Sequence, residues 1–236
     1  MFKPKVVILC GGLGSRLSEE TKIKPKPMIK IGRLPILIHV MNIYSKFGIN
    51  DFILALGYKK NYIINYFKNF KNPKKWNIQF VDTGKNSLTA TRLLKLKKFL
   101  KNEDYFLLTY GDGVSNLNIR KLISFHKKNK KIATVTAVRP PARFGELTIF
   151  NSFVKKFDEK NQINSGWING GFFVFNNKIF NLIPNKNSML ERETMKNLTK
   201  KNQLGAYKHY SFWQCMDTIR DKEILSKIWK SNRKQW

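Results

Sequence analysis

Apolar residues along this chain recur with two periods, and the alternation between them sets out the elements. Largely apolar runs at 5–9, 51–56, 105–109 and 132–138 predict strands, the first of them buried, and 77–81 reads as extended. Between them, apolar side chains return every three or four residues. Ile36, Leu37, Val40, Ile43, Tyr44 and Phe47 mark one face of a helix over 35–47, which Gly48 stops. Further helices are expected at 62–70, 88–100 and 119–128. Strand alternating with helix predicts an α/β fold, a Rossmann-like, mostly parallel mixed sheet flanked by helices. Such sheets bind ligands beyond the carboxyl ends of their strands.

After Pro140 and Pro141 the pattern changes. Residues 147–149, 154–157 and 167–175 read as extended, and helices are expected near 190–200 and 221–230. This half reads as an α+β extension packed on the first. No internal repeat or low-complexity linker separates them. One domain over 1–236 is therefore expected, with halves 1–139 and 140–236.

Composition narrows the class. A chain of 236 residues with 42% hydrophobic and 13% aromatic content is long and apolar enough to bury a core. No apolar stretch is long enough for a bilayer, and the run at 6–10 enters a polar loop without a signal-peptide cleavage pattern. Cys10 and Cys215 lie far apart without metal-ligand spacing, as expected of reduced thiols in a cytoplasmic protein. The formal charge of +30 attracts polyanions non-specifically. The cations are mostly lysines spread in short groups, with no nucleic-acid motif beside them, so specific nucleic-acid recognition is not expected.

Candidate chemistry starts where the first strand ends. Gly11, Gly12 and Gly14 let main-chain N–H groups approach an anion closely. Their spacing matches neither the dinucleotide fingerprint nor the common ATPase loop. Arg16 adds a forked cation and Lys26 a point charge, and Pro25 and Pro27 stiffen the backbone around that lysine. Asp112, between Gly111 and Gly113 just past an apolar strand, places a carboxylate at the same edge of the sheet.

Leu9-Cys-Gly-Gly-Leu-Gly-Ser-Arg-Leu17 followed by Lys24-Pro-Lys-Pro-Met28 resembles the signature of sugar-1-phosphate nucleotidyltransferases. Leu17-Ser-Glu-Glu-Thr21, Val81-Asp-Thr-Gly84 and Thr109-Tyr-Gly-Asp-Gly-Val114 are similar to the glucose-1-phosphate cytidylyltransferases among them. So are Arg143-Phe-Gly145, Ile168-Asn-Gly-Gly-Phe-Phe173 and Phe212-Trp-Gln-Cys-Met-Asp-Thr218, and the stretches run in one order across nearly the whole chain.

The resemblance implies transfer of a cytidylyl group from CTP to α-D-glucose 1-phosphate, releasing pyrophosphate. A sugar phosphate, with its second pKa near ~6, is already an anion at neutral pH and needs no general base. Bringing anions together and stabilising charge on the transferring group is the task, for which cations and loop N–H groups are suited. By resemblance, Leu9, Cys10, Gly11, Gly12, Leu13, Gly14, Ser15 and Arg16 cradle the nucleotide. Ser87, Arg92 and Gly111 lie close to it, and Lys26, Arg16 and Asp112 are catalytic. Asp112 and Asp217 are the implied Mg²⁺ ligands. Lys160, Asn169, Gly170 and one of Glu191 or Glu193 face the sugar, and a homo-oligomer is implied. A relative using another nucleotide or sugar phosphate, a catalytically silent binding relative and a basic nucleic-acid binder are the competing readings.

Three stretches depart from the family pattern. Only Lys71 to Lys75 joins Phe70 to Trp76, where the family carries a longer insertion near nucleotide and subunit contacts. Thr89-Ala-Thr-Arg92 stands for Thr-Gly-Gly-Arg, and Glu159-Lys160-Asn161 lacks a proline after the lysine. His39, His126 and His209 have no ligand spacing and no expected role.

Overall fold

A computed structural model describes residues 3–14, 17–72, 74–140, 146–158, 166–231 and 235–236. In chain order the strands are β1 (Val6–Leu9), β2 (Lys30–Ile31), β3 (Leu34–Pro35), β4 (Asp51–Leu56), β5 (Asn77–Asp82), β6 (Tyr105–Tyr110) and β7 (Gly113–Ser115). Then come β8 (Ala133–Val138), β9 (Glu146–Phe150), β10 (Phe153–Asp158), β11 (Ile168–Asn176), β12 (Leu204–His209) and β13 (Trp213–Cys215). The helices are α1 (Ser18–Thr21), α2 (Ile36–Ser45), α3 (Lys60–Lys68), α4 (Thr89–Lys95), α5 (Lys97–Leu100), α6 (Ile119–Asn129), α7 (Met195–Lys200) and α8 (Ile219–Lys230).

Seven strands form the central sheet in the order β12-β8-β11-β6-β1-β4-β5. β1 runs parallel to both β4 and β6, while β11 is antiparallel to β6 and β8. The period of two along β1 explains its place at the centre. Val6 and Ile8 enter one apolar layer with α2 residues such as Leu37, Val40 and Met41. Val7 and Leu9 enter the opposite layer with Ala90 and Leu93 of α4. Both faces are covered, which is why the strand sequence reads as an unbroken apolar run.

The second half is not a separate layer beside this sheet, because β11 and β12 complete it. The expected helix at 88–100 is divided at Leu96 into α4 and α5. That at 190–200 opens with a π-helical turn over Leu190–Thr194. β12 was not predicted, and of three short pairings only the strands of β9–β10 were, as the extended stretches 147–149 and 154–157. The hairpin β2–β3 links Lys26 to α2, and β9–β10 forms a separate ribbon with Ile149, Val154 and Phe157 exposed. The third, antiparallel pairing of β7 with β13, sets Cys215 opposite Gly113.

Two departures from the family pattern lie outside the cleft described below. Ala90 is fully buried in the α4 layer, and the Thr91 hydroxyl donates to the Lys186 carbonyl and accepts from the Ser188 N–H. Lys71 and Lys74 of the short link stand beside Trp76, Trp229 and Trp236 and line no part of the cleft. His39, His126 and His209 are buried structural residues. His126 shares a 2.9 Å hydrogen bond with Thr134, and burial, then the neighbouring Lys127 charge, lowers its pKa to about 4.

Candidate active site

The carboxyl ends of β1 and β6 open into a cleft of about 1010 Å³. The glycine loop forms one wall. Gly14 adopts φ +67°, a conformation that side chains disfavour, and a Cβ there would lie 2.9 Å from Thr21 and 3.1 Å from Lys26. Gly11 is filled in from behind, since a Cβ would fall 2.1 Å from a guanidinium nitrogen of Arg92.

Arg92 is only 4% exposed and directs its guanidinium to the main chain. It donates to the carbonyls of Leu56, Gly84, Gly11 and Lys85 and to the Thr83 hydroxyl, at 2.7–3.2 Å. These bonds tie the glycine loop to the ends of β4 and β5. Arg92 lines the cleft floor, but both terminal nitrogens of its guanidinium are engaged by the protein. Ser87 is comparably engaged, donating to the Thr83 carbonyl at 2.5 Å.

The charged centre lies opposite the loop. A 3₁₀ turn over Lys26–Met28, with Pro25 and Pro27 holding its entry, directs the Lys26 side chain inward. Its Nζ donates to Asp112 Oδ2 at 2.5 Å and to Asp217 Oδ1 at 2.5 Å. Burial lowers the Lys26 pKa, but the charge and hydrogen bond of Asp112 and those of Asp217 outweigh it, and the net shift is upward. Asp217 arrives from far along the chain through the β7–β13 pairing, completed by a hydrogen bond from the Met216 N–H to the Asp112 carbonyl. The next turn is fixed by a capping box. The Thr218 hydroxyl accepts from the Asp221 N–H, and the Asp221 carboxylate accepts from the Thr218 N–H.

Two thiols border this centre. Cys10 is buried and its pKa is driven up by desolvation, then by Asp112. Cys215 is pushed up to about 12 by desolvation and then by Asp217 and Asp112. Neither is a thiolate at neutral pH.

The far wall is built from side chains. Tyr110 donates its hydroxyl to Glu191 Oε1 at 2.5 Å, and the Thr89 hydroxyl donates to Glu191 Oε2 at 2.6 Å. Asn169 donates to the Tyr110 oxygen at 3.3 Å and accepts from the Gly171 N–H at 2.8 Å. Gly170 abuts β8, where a Cβ would fall 2.8 Å from Val138, and its carbonyl accepts from the Trp213 indole at 2.7 Å. A Cβ on Gly111 would meet Pro27 at 3.0 Å.

The expected residues thus divide by position. Leu9, Cys10, Gly11, Gly12, Gly14, Lys26, Ser87, Arg92, Gly111, Asp112, Asn169, Gly170, Glu191 and Asp217 line one cleft. Glu193 and Leu13 lie outside its lining, and Glu193 instead accepts from the Met189 N–H at 3.0 Å. Ser15, Arg16, Lys160 and the stretch 143–145 fall outside the described residues. Tyr110, Thr89, Trp213 and Arg220 also face the cleft and were missed as site residues. For Tyr110 a signal existed, its place immediately before Gly111-Asp112.

The sequence model of the family described as Nucleotidyl transferase matches residues 5–221. Glucose-1-phosphate cytidylyltransferase of Salmonella typhimurium is 44% identical over 98% of both chains. A probable glucose-1-phosphate cytidylyltransferase of Bacillus subtilis is 42% identical over the same shares. Among solved structures, HddC of Yersinia pseudotuberculosis complexed with GMP-PN superposes with a TM-score of 0.75 at 26% identity, covering 96% of this chain and 100% of that one. A putative glucose-1-phosphate thymidylyltransferase of Bacillus anthracis shares the fold, with a TM-score of 0.73 at 20% identity over 98% of this chain and 96% of that one. The chain belongs to the nucleotidyl transferase family. Among the described residues no helix is long and apolar enough to cross a membrane.

Proposed function

We propose that this chain is a glucose-1-phosphate cytidylyltransferase, forming CDP-glucose and pyrophosphate from CTP and α-D-glucose 1-phosphate. Its particular substrates follow from the likeness to the cytidylyltransferases of Salmonella typhimurium and Bacillus subtilis. The observation that carries the chemistry is the Lys26 ammonium between Asp112 and Asp217, beside a main-chain glycine loop. A glycine loop places N–H donors against phosphate oxygens without side-chain obstruction. Lys26 supplies positive charge where negative charge gathers on the transferring phosphoryl group.

Direct transfer fits the groups present. The Lys26 nitrogen donates to two carboxylates, so its electron pair is held in N–H bonds rather than aimed at phosphorus. Both thiols stay protonated. The sugar phosphate, an anion near neutral pH, is then the nucleophile, and pyrophosphate leaves from the opposite side.

Asp112 and Asp217 also suit Mg²⁺, since their oxygens converge on one cationic atom. Among the described residues no third His, Cys, Asp or Glu completes a protein-only site. Two carboxylates with phosphate oxygens are the usual provision for Mg²⁺. When bound, the ion supplies charge neutralisation on the nucleotide phosphates. The same reading includes a homo-oligomer and a cytoplasmic setting, as the family resemblance implies.

The test is to incubate the protein with Mg²⁺, glucose 1-phosphate and each of CTP, UTP, dTTP and GTP, measuring pyrophosphate release. CTP is expected to win. Preference for another nucleotide keeps the reaction class and overturns the cytidylyl assignment. No pyrophosphate from any of them overturns the enzyme reading.

A further inference from the structure

The far wall of the cleft contains a hydrogen-bonded chain that runs from Asn169 through Tyr110 to the Glu191 carboxylate and on to Thr89. Tyr110 closes β6, two residues before Asp112, so its backbone position is fixed by the parallel pairing of β6 with β1. Its ring lies against Gly171, where φ is +77° and a Cβ would fall 2.7 Å from a ring carbon. Phe173 meets the ring edge-on, with centroids 5.9 Å apart. Ring placement therefore depends on glycine and packing, not on the hydroxyl.

The hydroxyl has a separate task. Its single proton goes to Glu191 Oε1 at 2.5 Å, and its oxygen accepts from Asn169 at 3.3 Å. Glu191 Oε2 is held by Thr89 at 2.6 Å, and Thr89 in turn accepts from the Leu190 N–H at 2.8 Å. Each carboxylate oxygen thus receives one protein donor. A carboxylate has room for about four, so each oxygen keeps a lone pair.

We propose that Tyr110 is a positioning and specificity-determining residue for the sugar phosphate, because its hydroxyl and that of Thr89 hold Glu191 as a fixed two-oxygen acceptor for sugar hydroxyls. The proposal rests on the reading of this cleft as one that takes a sugar 1-phosphate. A freely rotating glutamate would bind many hydroxyl arrangements weakly. One held at both oxygens favours a particular pair and leaves a lone pair unsatisfied when a hydroxyl is missing. Tyr110 touches neither the glycine loop's donors nor Lys26 through any of these bonds, so its influence falls on the sugar and not on the nucleotide.

Titration calorimetry of CMP and CDP-glucose, on wild type and Tyr110→Phe, tests this. The phenyl ring keeps the packing over Gly171. In wild type, CDP-glucose is expected to bind more tightly than CMP. In Tyr110→Phe that ratio should fall roughly tenfold or more, the effect of losing a hydrogen bond to a charged group, while CMP affinity stays within about twofold. Thr89→Ala should lower the ratio in the same direction. Steady-state kinetics should agree, with KM for glucose 1-phosphate rising and KM for CTP steady. An unchanged ratio in Tyr110→Phe, or equal losses for CMP and CDP-glucose, overturns the positioning role while leaving the cleft's function in place. Wild type that binds CDP-glucose no better than CMP overturns that reading and this proposal together.

Discussion

Where the cleft follows β1, its surface is main chain: Gly11, Gly12 and Gly14 offer N–H groups and no side chain. Where it follows β6 and β11, its surface is side chain: Tyr110, Glu191 and Asn169 bonded to one another. The first wall is rigid because Arg92 bonds to carbonyls of its loop and the neighbouring strand ends from behind. The second is held by hydroxyl and carboxylate contacts facing the cleft, with the Tyr110 ring packed against Gly171 and Phe173. Main-chain donors suit phosphate, which every nucleotide carries. Side-chain acceptors suit hydroxyls, whose arrangement distinguishes one sugar from another. Lys26, Asp112 and Asp217 stand between the two.

The largest effect should come from that boundary. Lys26→Ala is expected to lower turnover by about 10²–10³-fold, the usual consequence of removing one donor from a developing charge. Pyrophosphate release measured beside a circular-dichroism melt checks it. A folded variant with normal turnover would remove Lys26 from the chemistry.

Arg92→Met should break the main-chain wall while sparing the other. It leaves several carbonyls without their donor, at about 1–3 kcal/mol for each buried group that stays unsatisfied. A lower urea midpoint and weakened CMP binding are expected together. The ratio of CDP-glucose to CMP affinity should persist, in contrast to Tyr110→Phe. Loss of that ratio in Arg92→Met would show that the walls are not independent.

A smaller effect should follow at the base of Asp217. Thr218→Ala removes an N-cap hydroxyl from α8, costing about 1 kcal/mol of stability. Turnover should fall only severalfold, because the β7–β13 pairing still carries Asp217 to Asp112. Loss as large as that in Lys26→Ala would assign the capping box a larger share of the site than its geometry gives it.

The difference between the walls also explains what could be read without coordinates. Glycines after an apolar strand, prolines around Lys26 and an aspartate between glycines are local patterns, and the structure places Gly11, Gly14, Lys26 and Asp112 in one cleft. The apolar runs indicated β1, β4, β6 and β8 because strands covered on both faces need little else. The three-residue strands β7 and β13 have no period long enough to register, yet they determine that Asp217 meets Asp112. Tyr110 and Thr89 were missed as site residues for a related reason. Their roles come from Glu191, which is distant in sequence and is brought over by the π-helical turn. Arg92 was expected close to the nucleotide, and nothing in the sequence shows that its terminal nitrogens are taken largely by the main chain.

In the proposed function, anions are brought together and transfer occurs in one step, with no covalent intermediate on lysine or cysteine. The most direct measurement is the stereochemical course at the α-phosphorus, using CTP chiral at that position by sulfur substitution and glucose 1-phosphate as acceptor. A single in-line displacement predicts inversion of configuration in the CDP-glucose analogue. Retention would require two displacements, and with them a nucleotidyl-enzyme intermediate, contradicting direct attack by the sugar phosphate.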